Sequence, residues 1–487
     1  MKKWILMLML IIFAARAGAY TIPYEMWMGT FVGEKKIGWM SLNIAPIPPG
    51  ILPGGMGAEF EGVKGYKVTT VVNNHLMVLG ADLTQIVDTV VYTDSKYAPL
   101  KEVFSMSSGG KTTTVTGRFT KTSIECEVSA GSGFSTKSIP IPAGADIVAD
   151  PLFTTSDAFP EIGKEYNLRY FNPLTLSLDD LKIKVEKREK LTVGGKEYDT
   201  VLLKNITPMG DMDVWQEADG AIVQVKGMMG ITMTRMSRAE AVAAGDGGAA
   251  EDFAVLTSAK SDKPIPHPRE VKSLTAVLTG IDDPKMLITD SRQKANAVDG
   301  KHGAAKIVIK ASRFDEAKSS QLPIRAPALH EYLIATPYVD SDAKSVIEQA
   351  REIVGYEKNA YLACSKIRAW VYGNLKVKSD IGITRSGSDV LKSKVGVCRD
   401  YAILLASLAR SVGIPSKVVS GLIYTDGAFY YHAWVECYVG KWVPFDATLP
   451  SDVVDATHVK LAEGDATSMF GLAKVIGSLK VEVKEIK

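Results

Sequence analysis

The stretch VGVCRDYAILLASLARSVGIPSKVV occupies residues 395–419, and YYHAWVECYVGKWVPFDAT follows it at residues 430–448. From Arg399 to Val412 the spacing predicts a helix. Leu404, Leu405, Leu408 and Val412 form its apolar stripe, and Gly413 and Pro415 end it. Cys398 then stands at the helix N-terminus, where unpaired N–H groups and the helix dipole favour thiolate over thiol. The same N–H groups can face the oxyanion of a tetrahedral intermediate. Gly396, two positions earlier, lets the backbone come close to a substrate.

A cysteine at a helix start is weak evidence alone, because buried free cysteines are common. The second segment adds to it. Phe429 to Tyr438 alternates as a strand, with His432, Trp434, Glu436 and Tyr438 on one face and Tyr431, Ala433, Val435 and Cys437 on the other. Cys437 points away from His432 and belongs to the core. A three-residue loop, Val439-Gly440-Lys441, pairs Trp434 with Asp446 on the next strand and returns Asp446 to the His432 face. Diagonal neighbours in such a pair lie about 7–8 Å apart, within side-chain reach. Pro444 makes this second strand an edge or a bulged one.

Gly396-Val397-Cys398, then His432-Ala433-Trp434, then Trp442-Val443-Pro444-Phe445-Asp446 resemble the core pattern of the transglutaminase-like superfamily. The resemblance covers residues 330–487. It implies a papain-like α+β core in which a helix carrying the thiol packs against an antiparallel sheet. It also implies Cys398 as nucleophile, His432 as general base and then acid, and Asp446 as the residue that holds the ring. The activity so implied is that of a cysteine peptidase or amidase, or of a protein-glutamine acyltransferase. All pass through a thioester. Trp434 is placed to shield the pair, and Trp370 is named as a further site-lining residue. Asp400 reads as a solvated acid at the helix start. His75, His267, His302, His330 and His458 carry no pattern.

Upstream, a helix capped by Ser341 runs to Val354 and is ended by Gly355, and a second helix runs from Ala360 to Leu375. Residues 20–238 read almost wholly as strands joined by turns such as Gly33-Glu34-Lys35 and Gly194-Gly195, an antiparallel sandwich or open barrel. Residues 239–271 read as a linker, glycine-rich from Ala239 to Asp252. A second β segment spans 272–329. The fold class expected is therefore multidomain: an N-terminal all-β region followed by an α+β transglutaminase-like core.

A length of 487 residues suits two or three domains, and 46% apolar with 23% charged residues is ordinary for globular proteins. A net charge of +2 without a basic stripe gives no reason to expect nucleic acid as a partner. Lys2 and Lys3, the apolar run Trp4 to Ala14 and Ala17-Gly18-Ala19 read as a signal peptide over residues 1–19. Its removal takes away Lys2, Lys3 and Arg16, so +2 less three leaves −1. The chain is then exported, to a bacterial periplasm or the extracellular space, with no stable membrane span. Four cysteines are too few for a disulfide scaffold and share no metal-ligand spacing, and no calcium loop is present. No cofactor and no metal are expected, and Cys398 is expected to be a free thiol. The expected partner is a protein or peptide substrate, with an envelope protein engaging the β domain. Hydrolysis is favoured over cross-linking, because water at about 55 M wins unless an acceptor amine is bound. The alternative is a catalytically silent binding or assembly protein of the cell envelope. A third reading has the β region covering the site until a partner removes it.

Overall fold

The computed structural model describes residues 22–47, 64–78, 81–108, 111–130, 133–149, 160–227, 230–243, 255, 257–281, 283–378, 384–466, 471–472 and 474–487. The signal-peptide segment lies outside them, as do most of the glycine-rich stretch from Ala239 to Asp252 and much of the loop from Pro46 to Gly57. Among the described residues no helix is long and apolar enough to cross a membrane.

The N-terminal region is one curled sheet of 15 strands. A first meander runs through β1 (Tyr24–Val32), β2 (Lys35–Pro46), β3 (Gly65–Val78) and β4 (Ala81–Asp94). It continues through β5 (Pro99–Ser108), β6 (Lys111–Phe119), β7 (Ser123–Ala130) and β8 (Gly133–Pro140). A second begins with β9 (Ile147–Val148), β10 (Glu165–Asn172), β11 (Ser177–Val193) and β12 (Lys196–Thr207). It ends with β13 (Gly210–Gln216), β14 (Ile222–Lys226) and β15 (Ile231–Arg235), and β15 pairs with β1 to join the two meanders. Alternation places Met40, Leu42 and Ile44 of β2 inside, with Met28 of β1 opposite Met40. The two arms meet again where Phe119 of β6 sets its ring edge-on to Phe171 of β10, 6.1 Å between centroids. Of the two architectures expected, the open, barrel-like sheet is the one found.

After the short helix α1 (Arg238–Val242) comes a second sheet of nine strands. Its first members are β16 (Ala259–Ser261), β17 (Ser273–Thr279), β18 (Gln293–Ala297) and β19 (Ala304–Lys310). Helices α2 (Lys344–Val354) and α3 (Ala360–Asn374) follow, then the short strand β20 (Lys376–Val377). Next are α4 (Gly387–Ser393), β21 (Val395–Gly396) and α5 (Cys398–Ser411), with β20 and β21 forming a small parallel pair. The chain closes with β22 (Ser416–Thr425), β23 (Ala428–Tyr438), β24 (Trp442–Phe445), β25 (Val459–Gly464) and β26 (Lys480–Ile486). The order in the second sheet is β18-β19-β17-β26-β16-β23-β22-β25, with β24 on the far side of β23. Pairing thus unites strands of the 259–310 stretch with those of the C-terminal core.

Two local expectations change. Helix α2 starts at Lys344 after Ala343, with no side-chain cap bond, and Ser341 is buried outside it. Helix α5 is no surface helix with one apolar stripe, for every residue from Cys398 to Arg410 is buried. Two of its polar members bond inside: Arg410 donates to Ser416 O at 3.0 and 2.8 Å, and Ser407 Oγ donates to Ile403 O. A helix enclosed on all sides is a core element, and each fully buried leucine adds about 2 kcal/mol. Helices α2, α3 and α4 pack around it, and its remaining side rests on Ala433, Val435 and Cys437 of β23.

Candidate active site

The site forms where the start of α5, the middle of β23 and the end of β24 come together. Strand β24 pairs with β23 in the register Val435↔Phe445, Glu436↔Pro444, Cys437↔Val443, Tyr438↔Trp442. The three-residue loop is therefore present, Asp446 follows in line with Trp434, and Pro444 sits on an edge strand. His432 Nε2 donates to Asp446 Oδ2 at 2.7 Å, which leaves Nδ1 as the nitrogen available to a thiol. The Cys398 thiol is near enough to act on the same ring, where it favours the protonated form. Cys398, His432 and Asp446 are thus brought together, and they are 2%, 6% and 0% exposed.

Burial opposes charge on the imidazole, but Asp446 and then Cys398 outweigh it, and His432 is pushed up to about 9. Burial likewise works against a charged Asp446, yet His432 and His458 hold its carboxyl well below the usual range. The pair is a buried imidazolium–carboxylate pair. Asp446 Oδ1 accepts from the backbone N–H of Thr448 at 2.8 Å and from its hydroxyl at 2.7 Å.

Trp434 stacks near His432, 6.2 Å between centroids and 27° between planes. Gly396 has a specific neighbour: a Cβ there would lie 2.5 Å from the Cβ of Asp400. Asp400 is fully buried, against the expectation of a solvated acid. Its Oδ2 accepts the Val397 N–H at 2.9 Å, closing the first turn of α5, and its Oδ1 lies 3.3 Å from Arg385. An acid at the third helical position is here a cap within the core. The ring contact found for Trp370 is with Lys394, at 5.8 Å. Cys364 and Cys437 are both buried, and burial, reinforced by Cys437, pushes the Cys364 thiol up.

His458, dismissed on sequence, belongs to this cluster. It is fully buried, and its Nε2 lies 3.2 Å from Asp446 Oδ2, the atom that His432 also engages. Ligand atoms of His432, Asp446 and His458 lie within 4.8 Å of one another. The 2.7 Å N···O contact is shorter than two ligands on one zinc ion stand apart, roughly 3.3 Å for bonds of about 2.1 Å. The cluster is a hydrogen-bonded one. Beside it Glu436 takes Lys460 at 2.8 Å and Lys417 at 3.3 Å, tying β23 to β25 and β22.

Residues 347–447 match the family model of the transglutaminase-like superfamily. That span carries Cys398, His432 and Asp446, and its fold is similar to that of the superfamily. An uncharacterised protein of Mycobacterium leprae is 32% identical over 106 residues, which is 20% of this chain and 36% of that protein. The chain therefore spans about a third of the curated relative that it matches. A solved structure of a candidate cysteine protease from Cytophaga hutchinsonii is similar at 20% identity, covering 45% of this chain and 86% of that one, with a TM-score of 0.33. Another, of a candidate protease from Parabacteroides distasonis, is similar at 14% identity, covering 81% and 70%, with a TM-score of 0.21.

Proposed function

We propose that the protein is an exported thiol enzyme that cleaves peptide or amide bonds through Cys398, His432 and Asp446. The observation that carries this reading is the buried row of Cys398, His432 and Asp446, in which the ring bonds the carboxylate at 2.7 Å and the thiol acts on the same ring. The Cys398 sulfur attacks the carbonyl carbon, and a C–S bond forms. His432 gives its proton to the departing nitrogen as the C–N bond breaks, leaving a thioester. Water, losing a proton to His432, then releases the acid and returns the thiol. Asp446 stays ionised throughout and fixes the ring. The N–H groups of the first turn of α5 are the donors this reading assigns to the oxyanion. Trp434 shields the pair from water.

Hydrolysis is the proposed outcome, with transfer to an amine secondary. A panel of peptide amides tests this, with released amine measured in the presence and absence of a fluorescent primary amine. Amine release without label incorporation, abolished by Cys398→Ala, is the expected result. Label incorporation at the expense of hydrolysis reverses the order.

A second reading has its own observation. Cys398 is only 2% exposed, and Thr113 of β6 donates to Thr384 O, 3.4 Å away, on the segment that leads to α4. The N-terminal sheet on this reading restricts entry until a periplasmic or extracellular envelope partner moves it. In the limit it leaves the core silent and makes the β region the working part.

A further inference from the structure

The carboxylate that orients His432 is itself one half of a repeated device. The sequence Asp446-Ala447-Thr448 recurs as Asp455-Ala456-Thr457. In both, the aspartate Oδ1 accepts from the threonine N–H and hydroxyl, at 2.8 and 2.7 Å in the first and 2.8 and 2.6 Å in the second. His458 follows the second copy and stands between the two carboxylates. Its Nε2 is 3.2 Å from Asp446 Oδ2, and its Nδ1 is 3.4 Å from Asp455 Oδ2. A carboxylate near each nitrogen favours the imidazolium, which donates from Nε2 to Asp446 while Nδ1 meets Asp455 as an ion pair without hydrogen-bond geometry.

The outer end is anchored. Arg269, just before β17, places Nη1 2.7 Å from Asp455 Oδ2, and Arg292, just before β18, donates to the His458 carbonyl at 2.6 Å. Acid and base therefore alternate from Arg269 through Asp455, His458, Asp446 and His432 to Cys398. Trp434 walls the row, edge-on to His458 at 5.5 Å. The other charged groups near it are Glu436 with Lys460, on β23 and β25. On the thiol side they are Arg399, Asp400 and Arg385.

We infer that His458, backed by Asp455, is a positioning residue for the site, fixing Asp446 and adding a second buried cation to the pair formed by Cys398 and His432. This rests on the thiol-enzyme reading above. Asp446 Oδ2 has two donors and Oδ1 has two, so no lone-pair direction is left for the carboxylate to rotate into. A cation one carboxylate away from His432 also favours negative charge on the thiol. Removing it makes the thiolate harder to form at low pH, without touching any group that meets substrate.

The test is the pH profile of iodoacetamide labelling at Cys398 in full-length protein, for wild type, His458→Gln, His458→Phe and Asp455→Asn. The acid limb is expected to move up by about one pH unit in both His458 variants. That is a tenfold slower reaction near pH 6, with rates converging above pH 10. Asp455→Asn is nearly isosteric, and it should shift the limb the same way by less. Should the His458 variants fail to fold, Asp455→Asn decides alone. Folded variants that lose stability but keep the wild-type limb would overturn the assignment while leaving the thiol-enzyme reading intact. A wild type with no labelling, or with the limb of an ordinary cysteine, overturns both.

Discussion

Gly396 and Asp400 are fitted to one another: a Cβ on Gly396 would lie 2.5 Å from the Asp400 Cβ and 3.0 Å from its Oδ2. The glycine leaves room for a buried carboxylate that caps Val397 and meets Arg385. Cys398 is placed by that cap. Gly396→Ala should cost about 1–3 kcal/mol in chemical denaturation, as overpacking does, and should slow Cys398 labelling. Unchanged stability would mean that the cap yields easily.

Asp400→Ala should be worse. It leaves Arg385, 2% exposed, without its buried carboxylate, and breaking such a pair costs about 3–5 kcal/mol. Arg385→Met with Asp400→Asn should recover much of the loss, which a double-mutant cycle measures.

Stability should fall on both sides of a maximum between about pH 4 and 6.5. His432 is raised to about 9, so its contribution is complete below the unfolded value near 6.5 and is lost as pH rises through about 9. A shift of that size corresponds to roughly 3 kcal/mol. His458 is raised as well and acts in the same direction. Asp446 and Asp455 are lowered, Asp455 to about 2, so their contribution is complete above about pH 4 and is lost as pH falls toward the folded values. Urea denaturation from pH 2 to 10 checks both limbs. In His432→Ala the alkaline limb should shrink.

In the native state iodoacetamide should modify Cys398 before Cys126, Cys364 or Cys437. Burial pushes Cys126 up to about 12 and Cys364 well above the usual thiol range. Mass spectrometry of native and unfolded protein should find the last three modified only after unfolding.

Strand β23 and its hairpin were legible because alternation and loop length leave little choice. With three loop residues, Asp446 must follow in line with Trp434, and it does. His458 was missed because its partners come from β23, the loop after β24 and the arginines before β17 and β18, which only tertiary packing unites. The repeated Asp-Ala-Thr was the one local signal that could have found it. Asp400 was misread because an acid at a helix start is usually solvated, whereas Gly396 and Arg385 make burial tolerable here. Strand partners of β16 to β19 were not legible either, since pairing with β23 and β26 spans much of the chain.

The most direct test of the proposed chemistry is the labelling rate of Cys398 against pH, with Cys398→Ser and His432→Ala as companions. An ordinary cysteine reacts with a midpoint near pH 8.5. The account predicts a midpoint well below that in wild type, absent in Cys398→Ser and restored to the ordinary range in His432→Ala. Equal profiles for wild type and His432→Ala, or a Cys398 that reacts only after unfolding, would contradict it and turn attention to the partners of the N-terminal sheet.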